Sequence, residues 1–139
     1  MKIIGIDYGD VRTGIAISDA LLSFAFPVKT ITNSNMRMLA KEISELSIEH
    51  KTDTVVLGMP LNMNGTKGPR AEKTEEFAKI LTDTYSLKVI FRDERSTTVS
   101  SHNIFNMQKV SGKKRKENID SLSATIILQD YLDFLKNSN

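Results

Sequence analysis

The sequence predicts an α/β protein of one domain, in which helices cover a mixed β-sheet. The first observation is an N-terminal β-hairpin, whose strands Lys2–Tyr8 and Arg12–Ser18 are joined by the turn signal Gly9-Asp10. The second is the alternation of apolar strands with helical periodicity in the second half, which is typical of parallel strands covered by helices. A length of 139 residues fits a single domain over 1–139 with its own core.

The remaining elements follow from local patterns. Phe24–Ile31 is rich in β-forming residues and predicts a third strand, which Pro27 favours at a sheet edge. A charged run before the last helix is expected to form a loop. The other predicted elements are a helix over Asn35–His50 capped by Asn33 or Ser34, a strand over Asp53–Met59, a helix from Pro69 to about Thr84, a strand over Leu87–Arg92, a helix from Ser96 to about Val110 and a helix over Ile119–Leu135.

Composition excludes several classes of site. Cysteine is absent, which excludes disulfides, thiolate catalysis and cysteine-ligated zinc. The balance of 19 Lys and Arg against 17 Asp and Glu is nearly neutral, so any nucleic-acid surface must be local. No apolar run of about 18 residues indicates a membrane span, and no signal-peptide pattern opens the chain. We therefore expect a cytoplasmic protein that has no membrane partner.

Three acidic residues are candidates for one metal site. Asp7 ends an apolar run, where a charge is costly unless it is paired, and alternation puts it on the same face as Ile3 and Gly5. Glu94 follows a strand near its carboxyl end, where open α/β sheets bind ligands. Asp120 lies near the buried side of the last helix. Such a cluster repels itself without a cation, whereas Mg²⁺ or Mn²⁺ takes carboxylate oxygens, and two ions suit phosphodiester hydrolysis.

Each of these acids also has a plainer interpretation. Asp7 is then a structural oddity, Glu94 a solvated acid that pairs with Arg92 or Arg95, and Asp120 a complement to the helix dipole. A chain with 17 acidic residues offers many sets of three. From the pattern alone, both interpretations stay open.

Two polar segments are candidate contacts to phosphate. The loop over 58–70 presents amides and cations before a helix N-terminus, where backbone donors favour an anion. The basic run near residue 113 suits a phosphate backbone, and the hydroxyls after Glu94 either contact phosphate or cap a helix. A polar loop and a solvated charge run are the structural alternatives. The candidate residues are Asn62, Lys67, Arg70, Arg95, Thr97, Lys113, Lys114, Arg115 and Lys116.

Four longer blocks occur in a specific order. They are GIDYGDVRTGIAISD, VVLGMPLNMNGTKGPRAEKTEEFA, RDERSTTVS and KKRKENIDSLSATIILQDYL. Together they span nearly the whole chain. In this order they resemble the YqgF (RuvX) family, described both as Holliday junction resolvases and as nucleases that mature the small-subunit ribosomal RNA precursor.

The resemblance implies a fold, a site and a substrate class. The fold is ribonuclease H-like, with a five-stranded mixed sheet, its first three strands antiparallel, flanked by helices. The resemblance implies that Asp7, Glu94 and Asp120 are catalytic and bind divalent metal. It also implies that Arg12, the turn Gly58–Pro60 and the motif residues Arg70 and Arg95 lie near the substrate. Gly5 and Gly9 are then expected to leave space beside Asp7 for a phosphate and its metals.

The resulting hypothesis is a metal-dependent endonuclease that processes the 16S ribosomal RNA precursor. Mg²⁺ or Mn²⁺ is the expected cofactor, with one or two ions, and RNA is favoured over DNA. The protein is expected to be a monomer or a homodimer. One alternative is a dimeric resolvase of four-way DNA junctions. Another is a non-catalytic nucleic-acid-binding factor in transcription or ribosome biogenesis.

Overall fold

The architecture comes from a computed structural model that describes residues 1–33, 35–62, 64–93 and 112–137, with side chains from 121 onwards in the last range. This part of the chain contains five strands and three helices. The elements are β1 (Ile4–Asp7), β2 (Arg12–Ser18), β3 (Ala25–Thr32), α1 (Met36–Glu49), β4 (Thr54–Met59), α2 (Pro69–Tyr85), β5 (Lys88–Asp93) and α3 (Gly112–Asn137). The predicted helix from Ser96 to about Val110 lies outside the described residues.

The five strands form one mixed sheet in the order β3-β2-β1-β4-β5. β1 pairs antiparallel with β2, and β2 pairs antiparallel with β3. β4 runs parallel to both β1 and β5. The predicted five-stranded mixed sheet with three antiparallel strands is therefore confirmed. β3 lies at the edge, as Pro27 indicated, because proline cannot donate to a second neighbour.

The sheet separates two apolar cores, and alternation along β1 decides which residues enter each. Ile4 and Ile6 pack with Phe77 in the core under α1 and α2. Ile3 packs with Leu128 in the core under α3. Because successive side chains point to opposite faces, the carboxylate at the end of β1 lies on the α3 face.

Two glycines near the N-terminus have packing roles and not the role predicted for them. A Cβ at Gly5 would lie 2.7 Å from the Leu128 Cβ and 3.0 Å from the Ala124 carbonyl oxygen, so this glycine lets α3 approach the sheet. A Cβ at Gly9 would collide with the Arg12 carbonyl oxygen inside the hairpin turn. The prediction that these two glycines leave space for a phosphate is wrong, because helix and turn backbone occupy that space.

The cap of α1 differs from the prediction, whereas the start of α2 agrees with it. Asn35 caps α1, since its Oδ1 accepts the Met38 amide at 2.8 Å, so the prediction of Asn33 as the cap is wrong, and Ser34 lies outside the described residues. α2 begins at Pro69, as predicted. No helix within the described ranges has both the length and the apolar character needed to cross a membrane.

The last helix begins earlier than predicted. It starts at Gly112, seven residues before the predicted start at Ile119, so the charged run over 113–116 is helical and not a loop. Lysine, arginine and glutamate are good helix formers, which explains the longer helix. Apolar periodicity does not detect such a segment, because it contains no apolar stripe.

The carboxylate of Asp19 organises the turn between β2 and β3. Its Oδ1 accepts the backbone N–H of Ser23 at 2.7 Å and of Phe24 at 3.1 Å. These bonds lower the pKa of Asp19, and the bond from the Phe24 N–H has the largest effect. The ionised form is favoured because a protonated carboxyl accepts these bonds less well.

The lowered pKa of Asp19 predicts a pH dependence. The stability that this turn gains is present above the unfolded pKa and is lost as the pH falls through the lower folded pKa. We expect the Asp19 carboxyl ¹³C resonance to titrate below the ordinary value for aspartate. Asp19→Asn, the matched variant, should unfold at lower urea than wild type near neutral pH, and the difference should shrink in acid. A midpoint at or above the ordinary value would contradict this role.

Candidate active site at the carboxyl edge of the sheet

Three strands end together at one edge of the sheet, here called the carboxyl edge. The last residues of β1, β4 and β5 are Asp7, Met59 and Asp93. Met59 pairs with Asp93. The parallel orientation of the three strands therefore brings Asp7 and the end of β5 to the same edge. Glu94, the residue after β5, lies outside the described residues.

Asp7 lies between two glycines in the sheet. It pairs with Gly14 of β2 on one side. On the other side, the register of Ile6 with Leu57 places Asp7 beside Gly58 of β4. Residues opposite each other on paired strands share a face, so both neighbours of the half-buried Asp7 carboxylate lack a side chain. Glycine inside a strand is typical of close approach by a ligand, a signal that the sequence already carried at Gly14.

The last helix brings Asp120 towards the same edge. Ala124 lies over Gly5, and Asp7 lies two residues further along β1, about 6.7 Å away. Asp120 precedes Ala124 by four residues, which is about 6 Å along a helix. Ser121, the residue after Asp120, borders a groove that opens at the carboxyl edge. The step from Ala124 back to Asp120 along α3 therefore runs in the same direction as the step from Gly5 to Asp7 along β1. The side chain of Asp120 itself lies outside the described part of the chain.

An ion pair ties the end of β5 to α3. Arg92 donates from Nε and Nη2 to Oδ2 of Asp130, at 2.8 Å and 2.7 Å. The guanidinium also lies 4.9 Å from the centre of the Phe134 ring, a cation–π contact. The strand that precedes Glu94 is thereby held against the helix that carries Asp120.

The turn between β1 and β2 is held by Asn33, which the sequence pattern indicated only as a helix cap. Its Nδ2 donates to the Gly9 carbonyl at 2.7 Å, and its Oδ1 accepts the Thr13 hydroxyl at 3.0 Å. Its backbone N–H donates to the Val11 carbonyl at 2.8 Å. Asn33 therefore positions the turn that separates the carboxylate of β1 from the first residue of β2. No local pattern signals this contact, because the partners are about 20 residues apart.

Tyr8 directly follows β1 and faces away from α3. Its ring stacks on Phe77 with a centroid distance of 4.8 Å and an angle of 13°. Burial, followed by the nearby charges of Asp10 and Glu76, raises the pKa of the Tyr8 phenol, which is therefore neutral near pH 7. The Tyr8 carbonyl accepts a long bond from Nη2 of Arg70 at 3.5 Å. The structure thus brings one predicted substrate-binding arginine to the residue after the candidate carboxylate.

The loop after β4 holds itself together. Leu61 and Lys67 form an isolated β-bridge, and the Asn62 side chain donates to the Thr66 hydroxyl at 3.1 Å. The Lys67 ammonium is paired with Glu75 at 2.8 Å on the exposed surface. Asn62 and Lys67 therefore lie beyond β4 at the carboxyl edge, and the charge of Lys67 is already paired with Glu75.

Several predicted residues cannot be placed as side chains. Arg95 and Thr97 lie outside the described residues. The basic residues Lys113, Lys114, Arg115 and Lys116 lie in the first turns of α3, where the backbone alone is described. Among the side chains that the structure describes, no three of the metal-binding type converge. Of the three predicted metal ligands, that set contains only Asp7.

The sequence matches a known family over almost its full length. The RuvX family model, described as Holliday junction resolvase, matches residues 1–134. A relative from Ruminiclostridium cellulolyticum is 44% identical over 134 residues, covering 96% of this chain and 94% of the relative. A relative from Clostridium tetani is 45% identical over 137 residues, covering 99% of each. Both relatives carry the name "Putative pre-16S rRNA nuclease".

Solved structures share the fold. T. thermophilus RuvC in complex with a Holliday junction has a TM-score of 0.66 and 11% identity, covering 99% of this chain and 97% of that one. Fowlpox virus resolvase with its junction DNA has a TM-score of 0.60 and 18% identity, covering 97% and 99%. This likeness confirms the predicted ribonuclease H-like architecture. The family match and the full-length relatives show that the chain belongs to the RuvX family.

Proposed function

We propose that this protein is a cytoplasmic, metal-dependent endonuclease that processes the 16S ribosomal RNA precursor. The observation that carries the proposal is Asp7, a half-buried carboxylate at the carboxyl edge between Gly14 and Gly58. It faces the helix that carries Asp120. The names of the full-length relatives support an RNA substrate.

The residues at this edge suit a hard divalent cation. Asp7 offers carboxylate oxygens, which Mg²⁺ and Mn²⁺ prefer, and its glycine neighbours put no side chain beside them. Glu94 and Asp120 would add carboxylates from the segments that Arg92 and Asp130 tie together. We infer that Asp7, Glu94 and Asp120 hold one or two such ions. Bound there, the metal would supply an activated water and stabilise negative charge on the phosphate.

Cations of the chain would then hold the substrate on both sides of Asp7. Arg70 reaches the Tyr8 carbonyl from α2, and Arg12 begins β2 at the same edge. Arginine suits phosphate because its planar guanidinium donates two parallel hydrogen bonds. Arg95, Thr97 and the loop residues Asn62 and Lys67 would add contacts, and the basic run over 113–116 would extend them along the backbone.

The proposal is tested by cleavage of matched substrates. We expect the purified protein to cut a 16S precursor fragment with Mg²⁺ or Mn²⁺, and EDTA to stop the reaction. A four-way DNA junction under the same conditions is the comparison. Binding that persists in EDTA without metal-dependent product from either substrate would overturn the nuclease proposal in favour of a non-catalytic factor.

A second candidate is resolution of four-way DNA junctions. It is favoured by the description of the family model and by two similar structures that are complexes with junction DNA. Paired nicks in a junction require two active sites and therefore a dimer. Sedimentation of the protein with and without junction DNA tests this requirement. A monomer that cuts the RNA precursor and leaves the junction intact would exclude the candidate.

A further inference from the structure

A polar groove lies beside the proposed active site, between the β2–β3 hairpin and α3. Its volume is about 460 Å³, and it opens to solvent. Arg12, Thr30, Thr32 and Ser121 line it together with Pro27, Val28 and Lys29. Apart from Arg12, none of these residues was predicted from the sequence as a binding residue.

The floor of this groove is continuous with Asp7. Asp7 pairs with Gly14, and Gly14 pairs in turn with Thr30. Adjacent strands lie about 4.8 Å apart, so Thr30 is about 10 Å from Asp7, with one glycine between them. Arg12 pairs with Thr32 two residues along, on the same face. A linear polymer bound at Asp7 can therefore continue across the hairpin, because Gly14 has no side chain to block it.

The chemistry of the groove suits a phosphodiester backbone. Most hydrogen bonds to nucleic-acid backbones come from arginine, lysine and hydroxyl side chains. Arg12 supplies a guanidinium, and Thr30 and Thr32 supply hydroxyls. Ser121 forms part of the α3 wall, and the basic run over 113–116 precedes it on the same helix, its last residue about 7.5 Å away along the axis.

The opposite face of the same edge strand has the opposite charge. A second groove there, between β3 and α1, is lined by Glu42, Glu45 and Glu49 with Leu46 and Lys29. Three carboxylates against one ammonium repel a polyanion. The charge distribution therefore directs a nucleic-acid strand over the α3 face of the hairpin and away from the α1 face.

We propose that the groove of Arg12, Thr30, Thr32 and Ser121 binds the phosphodiester backbone adjoining the scissile bond. The strand leaves Asp7, crosses Gly14 and follows the hairpin towards β3. This inference rests on the proposed function only in taking Asp7 as the position of the scissile bond. Binding in the groove requires no cleavage, so the two are separable by experiment.

The test measures binding in an Asp7→Asn background with EDTA, so that no product forms. The probes are a fluorescein-labelled RNA hairpin with single-stranded flanks and a labelled four-way DNA junction. Thr32→Glu adds a carboxylate at an exposed position of the groove. Thr82→Glu, an exposed position in the last turn of α2, is the matched control with the same change of charge. Circular dichroism melting checks that both variants are folded.

We expect Thr32→Glu to weaken binding about tenfold, the equivalent of about 1.4 kcal/mol, and Thr82→Glu to change it less than about twofold. Arg12→Gln should make the plot of log K against log salt concentration less steep by about one unit, which corresponds to the loss of one phosphate contact. If Thr32→Glu and Thr82→Glu bound with equal affinity, or if the protein bound neither probe, the proposal that the groove binds the phosphodiester backbone would be wrong. If Thr32→Glu weakens binding as expected but the wild type shows no metal-dependent cleavage, the groove stands and the nuclease proposal fails.

Discussion

Asp7→Asn is expected to abolish metal-dependent cleavage while leaving the fold intact. Asparagine keeps the shape of the side chain but removes the negative charge that would hold the cation. A metal ion contributes several kcal/mol to the transition state, and about 1.4 kcal/mol corresponds to tenfold, so we expect a loss on the order of a thousandfold. The measurement is the initial rate on the 16S precursor fragment at saturating Mg²⁺.

The matched control for this variant is Asp10→Asn. Asp10 is exposed at the same edge, three residues after Asp7, and lies 3.8 Å from the Lys73 ammonium. It receives the same change of charge, and exposed ion pairs contribute little, so we expect nearly full activity and stability. RNA affinity in EDTA should be retained in both variants. Full activity of Asp7→Asn, or an equal loss in Asp10→Asn, would contradict the assignment of Asp7 as a metal ligand.

Gly5→Ala is expected to destabilise the protein, because the new methyl group has no room under α3. The ideal Cβ position is 2.7 Å from the Leu128 Cβ and 3.0 Å from the Ala124 carbonyl oxygen, so a helix backbone must move. Overpacking of this kind costs about 1–3 kcal/mol. We expect the free energy of unfolding, measured in urea, to fall by that amount in Gly5→Ala and by more in Gly5→Val.

Gly68→Ala is the matched control for the packing prediction. A Cβ at Gly68 would lie 3.3 Å from Oδ1 of Asn62, which is the end of an exposed side chain and not backbone, so a shift of a few tenths of an ångström relieves the contact. We expect a loss below about 1 kcal/mol, the range for a helix cap position. If Gly5→Ala were as stable as Gly68→Ala, the close contact between β1 and α3 would be wrong. Since α3 carries Asp120, Gly5→Ala should also reduce the cleavage rate at a temperature where it is folded.

Much of the fold was predictable because it is encoded in short segments. Alternation along Lys2–Tyr8 assigned Asp7 to the same face as Ile3 and Gly5, and the structure confirms that face. Pro27 indicated the edge strand correctly, because a proline lacks the N–H that an inner strand needs. The position of Glu94 after a strand was likewise a local inference. The three-acid site stays a prediction, since the side chains of Glu94 and Asp120 lie outside the described residues.

The sequence by itself determined the order of the elements that the structure describes, the faces of β1 and, through its family blocks, membership of the RuvX family. These depend on neighbouring residues or on long matched segments. Only the tertiary structure decided that Gly14 and Gly58 flank Asp7, that Asn33 closes the hairpin turn and that Thr30 and Thr32 continue the floor from the carboxylate. Each of these is a pairing between strands or loops far apart in the chain. Such pairings follow from the register that buries both apolar faces together, which no single segment specifies.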